Sequence, residues 1–236
     1  MQADVWTSSS VVWQAHPSNS DSYAYQSESA TYALSLFCYL FMVVIEMNNE
    51  IRRLLEPLTD EEAVVSIYCD NVNRDAFLLG YLLDLDENDL LLNLLSPGGE
   101  EDGFAVVAGD TVFSVSEDRP YSAKILKLAH LKGQKKRTVP STDGAPLFDL
   151  LSYAQTHQTL VMFNRDINFT GFVESYSDTA VTLLQVDDYG KEFGRAVIDL
   201  SGVDFIRCRS AELRDIELLH RAEKAGLGGI FIERGK

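Results

Sequence analysis

Asp84, Asp86 and Asn88 alternate in "DLDENDLLLNLL" (84–95) and fill the first three ligand positions of a twelve-residue calcium loop. Such a loop needs glycine at its sixth position and a bidentate glutamate at its twelfth. Asp89 and Leu95 stand there, so the calcium reading fails at its most demanding places. The remaining chemistry-bearing residues are scattered. His16, His130, His157 and His220 fall in separate segments, without a GxSxG elbow or a Cys–His signature. Cys38, Cys69 and Cys208 are odd in number and show no CxxC spacing. That pattern points to buried or unremarkable thiols in a reducing cytoplasm, with no zinc site and no disulfide framework. Glycines in "SPGGEEDG" (96–103) and "DDYGKEFG" (187–194) precede strands, and their acidic neighbours repel phosphate. No catalytic residue, metal ligand or cofactor is assigned.

Charge narrows the partners. The net charge is −16, and residues 47–131 hold 17 acids against 6 bases. An acidic field of this size opposes polyanions, because counterion release needs clustered Lys and Arg. DNA is not indicated. A nucleic-acid or protein partner that seeks cations has two places to go. One is Lys135, Lys136 and Arg137; the other is Lys191, Arg195, Arg207 and Arg209 with Tyr176 as a stacking ring.

The elements that must position these residues come in two copies. Setting Gly80 over Gly171 aligns 80–115 with 171–206 without gaps, and Gly99/Gly190, Gly103/Gly194 and Val106/Val197 are identities. Upstream, Leu54-Leu55 and Val64-Val65 correspond to Leu150-Leu151 and Leu160-Val161 at an offset of 96, which places a five-residue insertion within "CDNVNRDAF". Downstream, Ile125 and Leu128 fall on Ile216 and Leu219. In the second copy, 147–157 carries a helical stripe and five short β-prone runs follow, ending in a helix over 211–226. So many short strands must curl to bury a core, which predicts an SH3-like or OB-like small barrel. Under the repeat, "GYLLDLDENDLLLNLL" (80–95) becomes strand, acidic turn, strand, with Gly80 kinking the first strand.

The organisation expected is an atypical leader (1–46), barrel 1 (47–131), a linker (132–146), barrel 2 with a C-terminal helix (147–228) and a tail (229–236). The leader's apolar run, 33–45, is too short for a comfortable membrane span. It is read as mis-called coding sequence upstream of Met47, with a weakly membrane-associating segment as the rival. A membrane partner enters only if that run is real and exposed.

The second unit resembles the Sm-like (host-factor type) family over 147–208, and the first unit does so over 51–115. A helix precedes five strands, strand two carries a glycine within "GFVESYSDTAVTLLQV", and Val203 and Ile206 keep the closing Ile-x-x-Ile spacing. The resemblance implies a mainly β chain of two tandem five-stranded barrels, each with an N-terminal helix, and it brings ring assembly and RNA binding with it. Position by position, the nucleotide pocket is replaced. Its Asp is Ser177 (Asp86 in the first copy), its Asn is Val181 (Leu90), and its dyad is Leu200-Ser201 (Gly109-Asp110). The leading reading is a non-enzymatic, cytoplasmic interaction or scaffold protein that associates with itself or another protein. An RNA-binding protein using the second barrel and the basic linker comes second, and an enzyme third.

Overall fold

The computed structural model describes residues 47–59, 63–69, 77–116, 120–142, 144–164 and 168–226, all within one compact unit spanning Ile45–Lys236. The leader, the insertion around 70–76 and the tail lie outside the described residues. In the first half, α1 (Asn49–Leu55) is followed by β1 (Val64–Cys69), β2 (Leu78–Leu85), β3 (Asp89–Leu95), β4 (Glu101–Ala108), β5 (Val112–Ser116) and α2 (Pro120–Leu131). The second half repeats the order with α3 (Pro146–His157), β6 (Leu160–Asn164), β7 (Asn168–Tyr176), β8 (Ala180–Val186), β9 (Glu192–Asp199), β10 (Phe205–Cys208) and α4 (Ala211–Lys224). Among the described residues, no helix is long and apolar enough to cross a membrane.

The strands form one antiparallel sheet in the order β5–β1–β2–β3–β4–β10–β6–β7–β8–β9. This corrects the expectation of two separately closed barrels. Among the described residues the sheet is open, β5 and β9 are its outermost strands, and its halves join where β4 pairs with β10. Phe205 lies opposite Val107, Ile206 opposite Val106 and Cys208 opposite Phe104. Each of these strands thereby satisfies backbone groups that a lone half would leave unpaired.

The leucine run of β3 follows from burial on both faces, which favours continuous apolar sequence over alternation. Leu90, Leu92 and Leu94 enter the first core with Val65, Ile67, Leu82, Ala105 and Val107, whereas Leu91 enters the second. One face of all five strands meets in that first core. A flat sheet with strands about 4.8 Å apart could not achieve this, so the half curls. Gly80 serves this close packing rather than a kink: a Cβ there would collide with the carbonyl of Asn93. The irregularity in β2 falls further on, between Leu82 and Asp84, and its counterpart lies between Val173 and Ser175.

The two cores interlock at the seam. Phe205 of β10 belongs to the first, while Leu91, Phe104 and Val106 belong to the second beside Leu150, Leu151 and Ala154 of α3. Helix α3 packs on β7 of its own half and on β3 and β4 of the other, where Tyr153 meets Phe104 edge-on at 5.3 Å. The segment 132–142 is held down as well. The Arg137 amide donates to Asn93 Oδ1 at 2.8 Å, Lys136 Nζ to the Thr59 carbonyl at 3.0 Å, and Val139 packs on the second core. A stretch rich in Pro, Gly and charge reads as a free linker, but here buried Asn93 fixes it, also donating to the Gly103 carbonyl at 2.9 Å.

Candidate functional site

Of the positions that the resemblance assigns to nucleotide binding, Asp110, Leu200 and Ser201 line a cavity of about 270 Å³ at the seam. The β2–β3 turn, the 3₁₀ turn Gly109–Thr111 and the 3₁₀ turn Leu200–Gly202 build its rim. Asp86 forms the first of these by accepting the amides of Asn88 (2.8 Å) and Asp89 (2.7 Å) on Oδ1. Its carboxylate is thus spent on an Asx-type turn, as Ser177 Oγ is spent on the amides of Thr179 and Ala180. Leu90 and Val181, at the expected Asn position, are wholly buried in the two cores and face no ligand. The Gly109 amide donates to the Asn88 carbonyl at 2.6 Å and the Leu200 amide to Thr179 at 2.9 Å, so both halves lock their turns alike. Across the seam, the Ala108 amide donates to the Asp204 backbone carbonyl at 2.9 Å, and both residues line the cavity.

Its chemistry is acidic. Asp89, Asp110 and Asp204 line it together with Ser201, Leu147 and Phe205. Burial, and then the charges of Asp86 and Asp110, push the Asp89 carboxyl up to about 7. Among the described residues, no group of three or more His, Cys, Asp or Glu is arranged to hold a metal ion. Asp84 lies in β2, Asp86–Asn88 form the β2–β3 turn, and Leu95 is buried in β3. Cys208 is buried against Thr159 Oγ1 at 3.2 Å, and desolvation pushes its thiol up to about 12, far from nucleophilic use.

The sequence-derived cations do not gather into a patch. Arg207 lies 3.3 Å from Asp102, Arg209 donates to Tyr153 Oη at 2.9 Å, and Arg195 pairs with Glu174 at 2.6 Å. Arg137 and Arg214 both reach Glu101, at 3.7 and 3.3 Å. Lys135 and Lys191 are exposed, on different halves. Tyr176 stacks on Phe148 with ring centroids 6.2 Å apart, packed against the second core. Of the second-half set, Arg207 alone reaches across the seam, to Asp102, and its neighbour Arg214 reaches Glu101. Those two acids were missed in the sequence. The signal that finds them is in the repeat, where Asp102 aligns with Phe193. Compared with protein-family models, curated proteins and solved structures, the chain finds no match in any of the three.

Proposed function

We propose that this chain is a non-enzymatic interaction or scaffold protein of two Sm-like units, acting in the cytoplasm through protein contacts. The acid-lined seam cavity carries the reading. A phosphate entering it would face Asp89, Asp110 and Asp204, whereas a basic group of a protein partner would be attracted. The arginines that an RNA-binding protein would offer are engaged with Glu101, Asp102, Tyr153 and Glu174. Releasing them for phosphate would leave carboxylates near the seam unpaired. Titrating the full chain with labelled oligo-U and oligo-A RNA at two salt concentrations tests this. The expected result is no binding at either salt. Micromolar or tighter binding that weakens with salt would replace this reading with the RNA-binding one.

A further inference from the structure

We propose that the groove bounded by α3, the β7–β8 pair and the end of α4 receives the chain's own C-terminal segment, 227–236, with Ile230, Phe231 and Ile232 laid along it. The inference is independent of the protein-contact reading above. The groove has a volume of about 570 Å³. Phe172, Val173 and Leu184 supply its apolar lining, with Gln155, Arg221 and Lys224 beside them.

The first half shows what fills the corresponding space. Leu184 corresponds to Asn93, and Gln155 to Thr59. Those two residues hold the segment that follows α2: the Arg137 amide donates to Asn93 Oδ1 at 2.8 Å, and Lys136 Nζ donates to the Thr59 carbonyl at 3.0 Å. Tyr81, at the place of Phe172, is 2% exposed and Asn93 is 0% exposed, whereas Phe172 and Leu184 are only half-buried. In the second half the equivalent seat is the groove, and none of the described residues fills it.

The two segments also leave their helices alike. Past α2 stands Gly133 at φ +68°, and past α4 stands Gly226 at φ +73°. In each case a left-handed glycine turns the chain off the helix end. Counted from these glycines, Arg137 and Ile230 are both the fourth residue on. Gly226 comes two residues after Lys224, which lines the groove, so the following segment starts at its rim. Extended, 227–236 would span up to roughly 33 Å, which leaves ample reach.

Seat and segment change chemistry together. Asn93 becomes Leu184, and by the same count "KKRT" (135–138) becomes "GGIF" (228–231), with Ile232 next. A polar seat thus holds a basic segment through hydrogen bonds, and an apolar seat meets three consecutive large apolar residues. Laying these over Phe172 and Leu184 removes apolar surface from water on both sides.

Hydrogen exchange of the full chain, followed by mass spectrometry, tests the proposal. Amides in 228–233 are expected to exchange at least about tenfold more slowly than in a free peptide of the same sequence. Leu184→Asp, which charges the groove, should return them to the free-peptide rate with circular dichroism unchanged. Should that variant fail to fold, a photo-cross-linker decides: p-benzoylphenylalanine in place of Phe231 is expected to couple to 155–158, 172–174 or 184 of the same chain. Free-peptide rates in the wild type, or a cross-link mapped elsewhere on the chain, overturn the proposal. A cross-link to the groove of a second copy, seen as a dimer band that fades on dilution, overturns it as well, because the occupant is then another chain's segment.

Discussion

At the seam, Asp102 meets Arg207 and the Ala211 amide while Val106 lies buried; at the outer edge, the corresponding Phe193 and Val197 face solvent. The two places share a glycine, at φ +79° in Gly103 and +147° in Gly194, and differ in which side chains complete them. A β4 edge placed against β5 would leave Asp102 facing Ser116 and Pro120, with neither guanidinium nor amide. A β9 edge against β10 would set Phe193 beside Arg207 and leave the Ala211 amide without its carboxylate. Charge completes the seam, whereas the corresponding outer edge carries exposed Phe193 and Val197 around the Arg195–Glu174 pair.

The largest effect should come from substituting the shared glycine on one side only. Gly103→Ala forces a Cβ into the Cys208 carbonyl at a positive φ, and is expected to lower unfolding free energy by about 4 kcal/mol in urea titrations. Gly194→Ala meets no neighbouring atom and should lose only the backbone term, about 1–2 kcal/mol. Equal losses at the two sites would erase the difference between seam and edge.

Next is the seam's charge. Asp102→Ala strands the largely buried Arg207 and removes an exposed bond to the Ala211 amide, and about 1–2 kcal/mol of stability should go with it. Phe193→Ala, at the corresponding exposed position, should leave the monomer's unfolding midpoint unchanged.

The cavity adds a pH term. Asp89 is near 7 in the folded chain, above its ordinary 3.8, so its neutral form is the one the fold prefers. Its contribution is fully present below pH 4 and is lost as pH rises through 7. Wild type should therefore lose about 2 kcal/mol more than Asp89→Asn between pH 4 and pH 8, measured by urea unfolding. The carboxylates facing it, Asp86 and Asp110, remain in the variant, so any residual slope belongs to them and to the rest of the chain. The smallest effect is at Arg195. Its pair with Glu174 lies on the open β9 face, and Arg195→Ala should not move the unfolding midpoint measurably.

The hairpins were legible because the second copy supplies Val, Thr and Tyr where the first has leucine. Periodicity alone reads "DLLLNLL" as helical, since a strand buried on both faces does not alternate. The helices at 146–157 and 211–224 fall within a residue or two of their stripes, because one apolar face per helix is a local property. The seam was not legible. Which edge meets which depends on residues a hundred positions apart, such as Asp102 and Ala211, and no local pattern encodes that pairing. The same holds for the arginines: Arg207 and Arg214 look like a partner surface in sequence, and only folding brings Asp102 and Glu101 to them. The acidic cavity was not legible. Asp110, Leu200 and Ser201 were known only as replaced pocket positions, and Asp89 and Asp204 line the same cavity only once β10 lies beside β4.

The claim that the two halves join at the seam can be read directly with an engineered cross-link. In a Cys38→Ser background, Val106→Cys and Ile206→Cys are introduced together and the chain is mildly oxidised. The two native cysteines within the described residues, Cys69 and Cys208, are buried. Because Ile206 lies opposite Val106, the double variant is expected to form an intramolecular disulfide, read as faster migration on a non-reducing gel, and each single variant none. A double variant whose two new thiols stay free would contradict the account.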